Sequence, residues 1–178
     1  MSETSNIGKI MNQIVIPETT PQRYITGKAA LNLPAPEGTS GDWHFVISFY
    51  DLASSNKALS LLLAGEGEKL NTNHIYGDYG IYECSEAMKR RNLILPEGMT
   101  AVYAANHFRA ILDMVYNTLT VYQRVVGLQG ATEDWLDTEE QKEELLEEAA
   151  KMLPFLADRA QNELNRWITQ ERKPGYRS

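Results

Sequence analysis

The sequence predicts a helix-rich α+β protein in which a small mixed half packs on a C-terminal helical half. Short apolar runs separated by Gly and Pro extend to residue 98, and apolar residues at helical spacing follow from residue 101. The 178 residues are 43% hydrophobic, which is enough to bury one core. We therefore expect a single domain with an arm at residues 1–22, a mixed half at 23–98 and a helical half at 99–178.

Charge and cysteine content narrow the functional classes. The net charge of −7 argues against direct binding to a nucleic-acid backbone, which requires a surplus of Lys and Arg. The single cysteine, Cys84, excludes an intramolecular disulfide and any zinc site with several cysteines. No apolar run approaches the roughly 18 residues of a membrane span, and the polar N-terminus lacks the order of a secretion signal. We expect a soluble, cytoplasmic protein that binds neither a membrane nor a cofactor.

The mixed half begins with a polar arm and a segment of mixed propensity. Residues 1–22 are rich in Ser, Thr and Asn, which predicts a mobile arm. Residues 24–26 favour a strand, whereas residues 28–31 favour a helix. The prolines and glycine of residues 34–38 end whichever element forms there.

Four further short elements are expected before the helical half. The apolar run at residues 43–50 predicts a buried strand, and residues 54–63 predict a short helix with a serine cap. Aromatic residues around a Gly-Asp pair at 71–83 indicate a hairpin or an irregular loop. Residues 83–92 predict a second short helix.

Helical periodicity is strongest in the C-terminal half. Thr138 is expected to cap a helix that carries acidic residues in its first turn. Pro154 lies inside the following apolar stripe, so that helix should bend or divide near Met152. An earlier stripe predicts a long helix from residue 101 that ends near Gly127 and Gly130, with a core face formed by Ala104, Phe108, Ile111, Leu112, Val115, Leu119 and Tyr122.

A glycine-rich turn at residues 38–42 leads directly into the apolar run of the mixed half. Glycine permits backbone angles that let such a turn direct polar side chains. On the predicted long helix, an arginine and an aspartate four residues apart can form an ion pair. We expect a structural latch between the two halves, with a small-ligand pocket as the alternative; its residues are Trp43, His44, Asn106, Arg109 and Asp113.

The histidines do not follow the spacing of a metal site. His44, His74 and His107 are 30 and 33 residues apart, whereas zinc ligands commonly occur in closely spaced pairs, so no metal is expected. A discontinuous site could still combine these imidazoles with Asp42 and Asp78. These five residues are the catalytic candidates if the protein is a hydrolase or nuclease.

An acidic run dominates residues 131–150, where nine Asp and Glu accompany one Lys. An acidic helix can dock on a basic protein surface or imitate nucleic-acid phosphates, and a neighbouring tryptophan can supply an apolar anchor. A solvated helix face is the plainer interpretation. The residues expected to contact a partner are Glu133, Asp134, Trp135, Glu140, Glu143, Glu144 and Glu147.

Four blocks within residues 24–116 have a recognisable pattern: TGKAALNLP at 26–34, GDWHF at 41–45, GDYGIYE at 77–83 and YAANHFRAILD at 103–113. Together they resemble an uncharacterised bacterial family whose genes lie among mobile-element or toxin–antitoxin cargo. The acidic helix falls outside these blocks. The resemblance implies a genetic setting and supplies no catalytic residue.

The combined expectation is a non-enzymatic cytoplasmic factor that binds a protein with a basic surface. The resemblance implies an antitoxin-like, phage-defence or counter-defence role as an inhibitor. Two alternatives stay open at this point: the His/Asp-dependent hydrolase or nuclease, and a structural subunit of a larger assembly. Formation of a homo-oligomer is compatible with each of them.

Overall fold

The computed structural model describes residues 15–42, 49–50 and 62–174. The described chain contains seven α-helices and a four-stranded sheet, which confirms the predicted helix-rich α+β class. In chain order the elements are β1 (Arg23–Thr26), α1 (Gly27–Leu31), β2 (Leu62–Gly65), α2 (Asn73–Tyr76), β3 (Ile81–Glu83), α3 (Ser85–Arg90), β4 (Tyr103–Ala105), α4 (His107–Tyr122), α5 (Ala131–Trp135), α6 (Glu139–Ala150), a 3-10 turn (Leu153–Phe155) and α7 (Asp158–Glu171).

The sheet has the strand order β2-β1-β4-β3, in which β1, β2 and β3 come from the mixed half and β4 comes from the start of the half at 99–178. β1 is antiparallel to β2 and parallel to β4, and β3 is antiparallel to β4. Successive side chains of a strand point to opposite faces of the sheet. Because both Tyr24 and Ile25 of β1 are fully buried, both faces of the sheet are covered at this central strand.

The helix α4 is the central element of the fold. It contacts α1 and β1 of the mixed half, the sheet strand β4, and also α6 and α7 of the helical half. It begins at His107 because the side chain of Asn106 accepts a 2.9 Å hydrogen bond from the backbone N–H of Arg109. It ends at Tyr122, where Gln123 adopts a left-handed φ of 54°.

The predicted boundaries of this helix were wrong at both ends. Tyr103–Ala105 forms β4, so Ala104 belongs to the sheet and not to the helical stripe. The left-handed residue Gln123 ends the helix before Gly127 and Gly130 are reached. A three-residue strand is too short for periodicity to distinguish it from the start of a helix, because its pairing partners are distant in sequence.

The two C-terminal helices follow the predicted pattern. The hydroxyl of Thr138 accepts a hydrogen bond from the backbone N–H of Gln141, and the side-chain oxygen of Gln141 accepts one from the backbone N–H of Thr138. Pro154 lies in the 3-10 turn that separates α6 from α7, which confirms the predicted division near Met152.

Several predictions for the mixed half concern residues outside the described ranges. The predicted strand at 43–50 and helix at 54–63 lie largely there, although Leu62 and Leu63 belong to β2 and not to a helix. Phe49 and Tyr50 are described and lie outside the four strands. The segment at 71–83 contains α2 and β3, in place of the predicted hairpin or irregular loop.

The last part of the predicted arm packs on the domain. Ile16 is only 4% exposed. The backbone N–H of Val15 donates to the carbonyl of Tyr50 at 2.8 Å, and the N–H of Tyr103 donates to the hydroxyl of Thr19 at 2.8 Å. Residues 15–20 are therefore attached to the body of the protein. Among the described residues, no helix has the length and apolar character needed to cross a membrane.

Candidate interaction surface and buried polar networks

The helix α6 separates a buried face from an acidic face. Its buried side chains are Lys142, Leu145, Leu146 and Ala149. At about 100° of rotation per residue, the remaining positions fall on the opposite side of the helix. We call this opposite side the acidic face; its exposed residues are Glu139, Glu140, Glu143, Glu144 and Glu147.

Intramolecular contacts neutralise only part of the acidic face. Glu139 forms a 3.9 Å ion pair with Lys142, and Glu143 forms a 3.2 Å ion pair with Arg172. Glu144 keeps its charge and accepts a 3.2 Å hydrogen bond from the phenol of Tyr79. Glu140 and Glu147 form no hydrogen bond or ion pair with any described residue. Their carboxylates are therefore available to a partner.

The remaining predicted binding residues lie on α5. Glu133 and Asp134 are exposed, and Asp134 takes part in a contact within the chain. Trp135 is half-buried and packs against the core, so only part of its indole can reach a partner. The predicted binding residues thus occupy two consecutive helices and do not form one continuous helix face.

A buried ion pair within α4 is hydrogen-bonded to the mixed half. Nε of Arg109 lies 3.2 Å from Oδ1 of Asp113, and both side chains are fully buried. The Arg109 guanidinium also donates to the carbonyl oxygens of Gly77 at 3.1 Å and Tyr79 at 2.7 Å, and to Oδ1 of Asn73 at 2.9 Å. The sequence predicted this pair on the helix, and the structure encloses it within the protein.

Aromatic rings enclose the Arg109 guanidinium. Its central carbon lies 5.2 Å from the ring centroid of Tyr24 and 5.3 Å from that of Tyr76. A cation over an aromatic face is attracted by the ring quadrupole, most strongly where water is excluded. The two tyrosines therefore help to offset the desolvation of the buried charge.

Hydroxyl groups from the mixed half surround the Asp113 carboxylate. It accepts hydrogen bonds from Tyr24 at 3.0 Å and Thr26 at 2.8 Å, and also from Thr72. Burial raises the pKa of Asp113, whereas the charge of Arg109 and the three hydroxyls lower it. Asp113 thus connects the central helix to β1 and to the residue before α2.

His107 forms a second buried contact between the two halves. Its Nε2 donates to the carbonyl of Leu33 at 2.8 Å, which assigns Nδ1 as the acceptor from the hydroxyl of Thr39. The side chain is 1% exposed. Burial lowers the pKa of His107, although the Leu33 hydrogen bond and the charge of Asp137 act to raise it. The imidazole is therefore neutral in the folded protein.

The glycine-rich turn contacts His107 and the segment that joins α5 to α6. The backbone N–H of Ser40 donates to Asp137 at 2.8 Å, and that of Gly41 donates to the carbonyl of Trp135 at 3.2 Å. Gly41 has φ of +62°, and a Cβ atom there would lie 2.5 Å from Cε1 of His107. Glycine is required at this position because the turn lies directly against the imidazole.

The predicted latch residues therefore have different outcomes. Trp43 and His44 lie outside the described residues, so their contribution stays a prediction. Asn106 caps α4, while Arg109 and Asp113 form the buried network. Sequence reasoning missed the contact between Thr39 and His107. In the sequence, Thr39 is recognisable only as a hydroxyl residue between Gly38 and Gly41, and this pattern does not predict a contact with a distant histidine.

The catalytic candidates that are described occupy separate environments. His107 is buried and both of its ring nitrogens are hydrogen-bonded within the fold. His74 is exposed and packs edge-on against Phe155, with ring centroids 4.9 Å apart. Asp78 is exposed in the turn before β3, and Asp42 has a contact within the chain. His44 is not described. In the described ranges, no group of three or more His, Cys, Asp or Glu could hold a metal ion.

Two surface grooves in the described chain contain none of the predicted site residues. One of about 700 Å³ is lined by residues 89, 92–96, 99 and 100. Another of about 610 Å³ lies beside it and is lined by residues 18–20, 23 and 96–101. Cys84 lies outside both grooves and is fully buried. Burial raises the pKa of the Cys84 thiol to about 12, which keeps it protonated.

Comparison with known proteins adds no assignment. No protein-family model matches the chain, and neither a curated protein nor a solved structure shows significant similarity to it. The family resemblance based on the four sequence blocks therefore stays a prediction.

Proposed function

We propose that the protein is a non-enzymatic binding factor whose acidic face engages a basic surface of another protein. The observation that carries this proposal is the one-sided charge of α6. Its glutamates occupy the exposed side, while its only lysine, Lys142, is 4% exposed and lies on the buried side. Lys142 reaches Glu139 at 3.9 Å and Arg172 reaches Glu143 at 3.2 Å, so Glu140, Glu144 and Glu147 have no ion pair with a described residue.

The apolar surroundings of the acidic face favour protein binding over simple solvation. Trp135 lies just before α6, and Phe155, which is 49% exposed, lies just after it. The 12 residues of α6 span about 18 Å, and the two aromatic residues follow one another in the chain on either side of this helix. Aromatic anchors beside charged groups are typical of interface residues that contribute strongly to binding.

The test compares partner capture by two charge-reversed variants. The test variant carries Glu140→Lys, Glu143→Lys, Glu144→Lys and Glu147→Lys. The control carries the same change of charge on four exposed acids outside α5 and α6: Glu18→Lys, Glu66→Lys, Glu86→Lys and Glu97→Lys. A captured protein is identified by mass spectrometry, purified, and titrated against each chain at several salt concentrations.

The expected result is direct binding that weakens steeply with salt, is lost in the test variant and is retained in the control. Wild-type affinity in the test variant would contradict the proposal. A stable stoichiometric complex that is insensitive to both salt and the α6 changes would instead support a structural subunit.

The biological setting is a further part of the proposal. The resemblance implies a toxin–antitoxin or phage-defence locus, in which this chain would act as an inhibitor of a basic protein. A captured partner whose toxicity or antiviral activity is unaffected by the wild-type chain would argue against that role. The hydrolase alternative is not supported by the placement of His74 and His107.

A further inference from the structure

The turn at residues 38–42 covers the imidazole of His107. A Cβ atom on Gly41 would lie 2.5 Å from Cε1 and 2.8 Å from Nε2 of this ring, so the backbone of the turn lies directly against it. The hydroxyl of Thr39, in the same turn, donates to Nδ1 of the ring, and Nε2 donates to the carbonyl of Leu33 at 2.8 Å. The side chain of His107 is 1% exposed, so the closed turn helps to keep the ring away from water.

The same turn holds the segment between α5 and α6. The backbone N–H of Ser40 donates to the carboxylate of Asp137 at 2.8 Å, and the N–H of Gly41 donates to the carbonyl of Trp135 at 3.2 Å. Trp135 is the last residue of α5, and Asp137 directly precedes the cap of α6. The turn therefore connects the buried imidazole with the start of the acidic helix and with its neighbouring tryptophan.

The surroundings of His107 disfavour a positive charge on its ring. Burial lowers the pKa of His107, and the charge of Arg91, which follows α3, acts in the same direction. His107 is also the first residue of α4, where the helix dipole is positive. The nearby carboxylates are those of Asp137, whose charge raises the pKa, of Glu37, which faces the backbone N–H of His107, and of Asp42 in the turn. Burial outweighs them, so the closed turn favours the neutral ring.

A proton on the ring also conflicts with the hydrogen bond to Thr39. Both nitrogens of a protonated imidazole are donors, so Nδ1 can no longer accept from the Thr39 hydroxyl. The hydroxyl oxygen would accept instead and its own hydrogen would lose its acceptor, since the Thr39 side chain forms no other hydrogen bond with a described residue. Thr39 is 6% exposed, and a buried donor without an acceptor is unfavourable. Opening the turn would allow water to satisfy both the charged ring and the hydroxyl.

We propose that His107 and the 38–42 turn form a pH-sensitive switch, in which the turn is closed over the neutral ring and opens when the ring gains a proton. The two glycines of the turn have left-handed φ angles of +76° and +62° and serve as its hinges. Opening breaks the bonds to Trp135 and Asp137, so the start of the acidic helix and its apolar anchor are no longer held in place. The inference rests on the proposed function, because it assigns a regulation to the same acidic face: acidification should weaken binding of the basic partner.

The direction of the pH dependence follows from one proton. The ring of the open turn is hydrated, so its pKa returns toward the ordinary value of about 6.5, whereas the closed turn holds it lower. Below about pH 6.5 the open turn therefore binds more protons, and its population relative to the closed turn should rise by at most about tenfold per pH unit. Above that pH the ratio of the two forms should be constant.

Amide hydrogen exchange measured by NMR tests the switch on the chain alone. The reporters are the N–H groups of Gly41 and Asp42, which donate to the carbonyls of Trp135 and Leu31 at 3.2 and 2.9 Å. Their protection factors, corrected for the intrinsic pH dependence of exchange, should be constant above about pH 6.5 and should fall by up to about tenfold per pH unit below it. Amides in the middle of α4 report global unfolding and should stay more strongly protected.

Two histidine variants form a matched pair. His107→Asn removes the titrating ring, so the protection of Gly41 and Asp42 should lose this pH dependence. His74→Asn removes an exposed imidazole outside the turn and should behave like the wild type. The NMR titration of the His107 Cε1 proton in the wild type requires no substitution, and it should cover the same pH range as the change in protection. Circular dichroism checks that both variants are folded.

The regulatory consequence is measured with the captured basic partner. Its affinity for the wild type should fall between about pH 7.5 and 5.5, and the decrease should be clearly smaller for His107→Asn. An equal decrease in both chains would overturn the regulatory role, because the pH dependence would then arise from other groups.

Protection factors that do not change below about pH 6.5 would overturn the switch itself. Exchange of Gly41 and Asp42 at the rate of the α4 amides would also overturn it, since the turn would then open only through global unfolding. Failure of the proposed function gives a different result. Partner binding would then be insensitive to the α6 charge reversals, while the exchange measurements, which need no partner, would be unaffected.

Discussion

The Arg109–Asp113 pair allows a quantitative test of how α4 is attached to the mixed half. We consider the change Asp113→Asn, which preserves the shape of the side chain and removes its charge. The Arg109 guanidinium would then be buried without a counterion, since both side chains are fully buried in the native protein. Removing one partner of a buried ion pair typically costs about 3–5 kcal/mol.

The consequence for thermal stability follows from the size of the chain. For a domain of 150–250 residues, 1 kcal/mol changes Tm by about 2–4 °C. Asp113→Asn should therefore lower Tm by roughly 6–20 °C and the free energy of unfolding by about 3–5 kcal/mol. Urea unfolding followed by tryptophan fluorescence and circular dichroism measures the free energy, and a thermal scan measures Tm.

The exposed pair Lys89–Glu86 supplies a matched control. It also joins residues of one helix, with an N–O distance of 3.1 Å, but its side chains are 58% and 73% exposed. Glu86→Gln should cost less than about 0.5 kcal/mol. If Asp113→Asn costs no more than Glu86→Gln, the buried network does not hold the two halves together and the reasoning fails.

Three further predictions concern other contacts. Because burial lowers the pKa of His107, the unfolded chain binds more protons than the folded chain below about pH 6.5, so stability should fall as pH decreases through that value. Between about pH 7.5 and 5.5, the free energy of unfolding should decrease less in His107→Asn than in the wild type. An equal decrease in both proteins would exclude His107 as the source of the pH dependence. Gly41→Ala should cost about 2–4 kcal/mol, because the left-handed backbone is strained and the new Cβ overlaps His107. Gly127 has a φ of +70° and nothing within 4 Å, so Gly127→Ala should cost only about 1–2 kcal/mol of backbone strain. Equal losses of unfolding free energy in urea would refute close packing of the turn. Glu171→Gln should cost about 1–3 kcal/mol, because the buried carboxylate accepts hydrogen bonds from the backbone N–H groups of Gly130 and Thr132; a thermal scan with unchanged Tm would contradict this contribution.

The sequence alone determined the features that depend on residues close together in the chain. Thr138 and Gln141 form a capping box because three residues separate them, and Pro154 divides the last helices because it lacks an N–H. Arg109 and Asp113 lie on one side of α4 because residues four positions apart are neighbours on a helix. Local spacing also placed most of the acidic residues of α6 away from the core.

Only the tertiary structure determined which distant segments meet. The contact of Thr39 with His107 joins residues 68 positions apart, and no local pattern specifies such a pair. Burial of Arg109 and Asp113 likewise required hydroxyl and carbonyl groups from β1 and residues 72–79. Periodicity identifies the side of a helix on which a residue lies. Whether that side meets water or another segment depends on long-range packing.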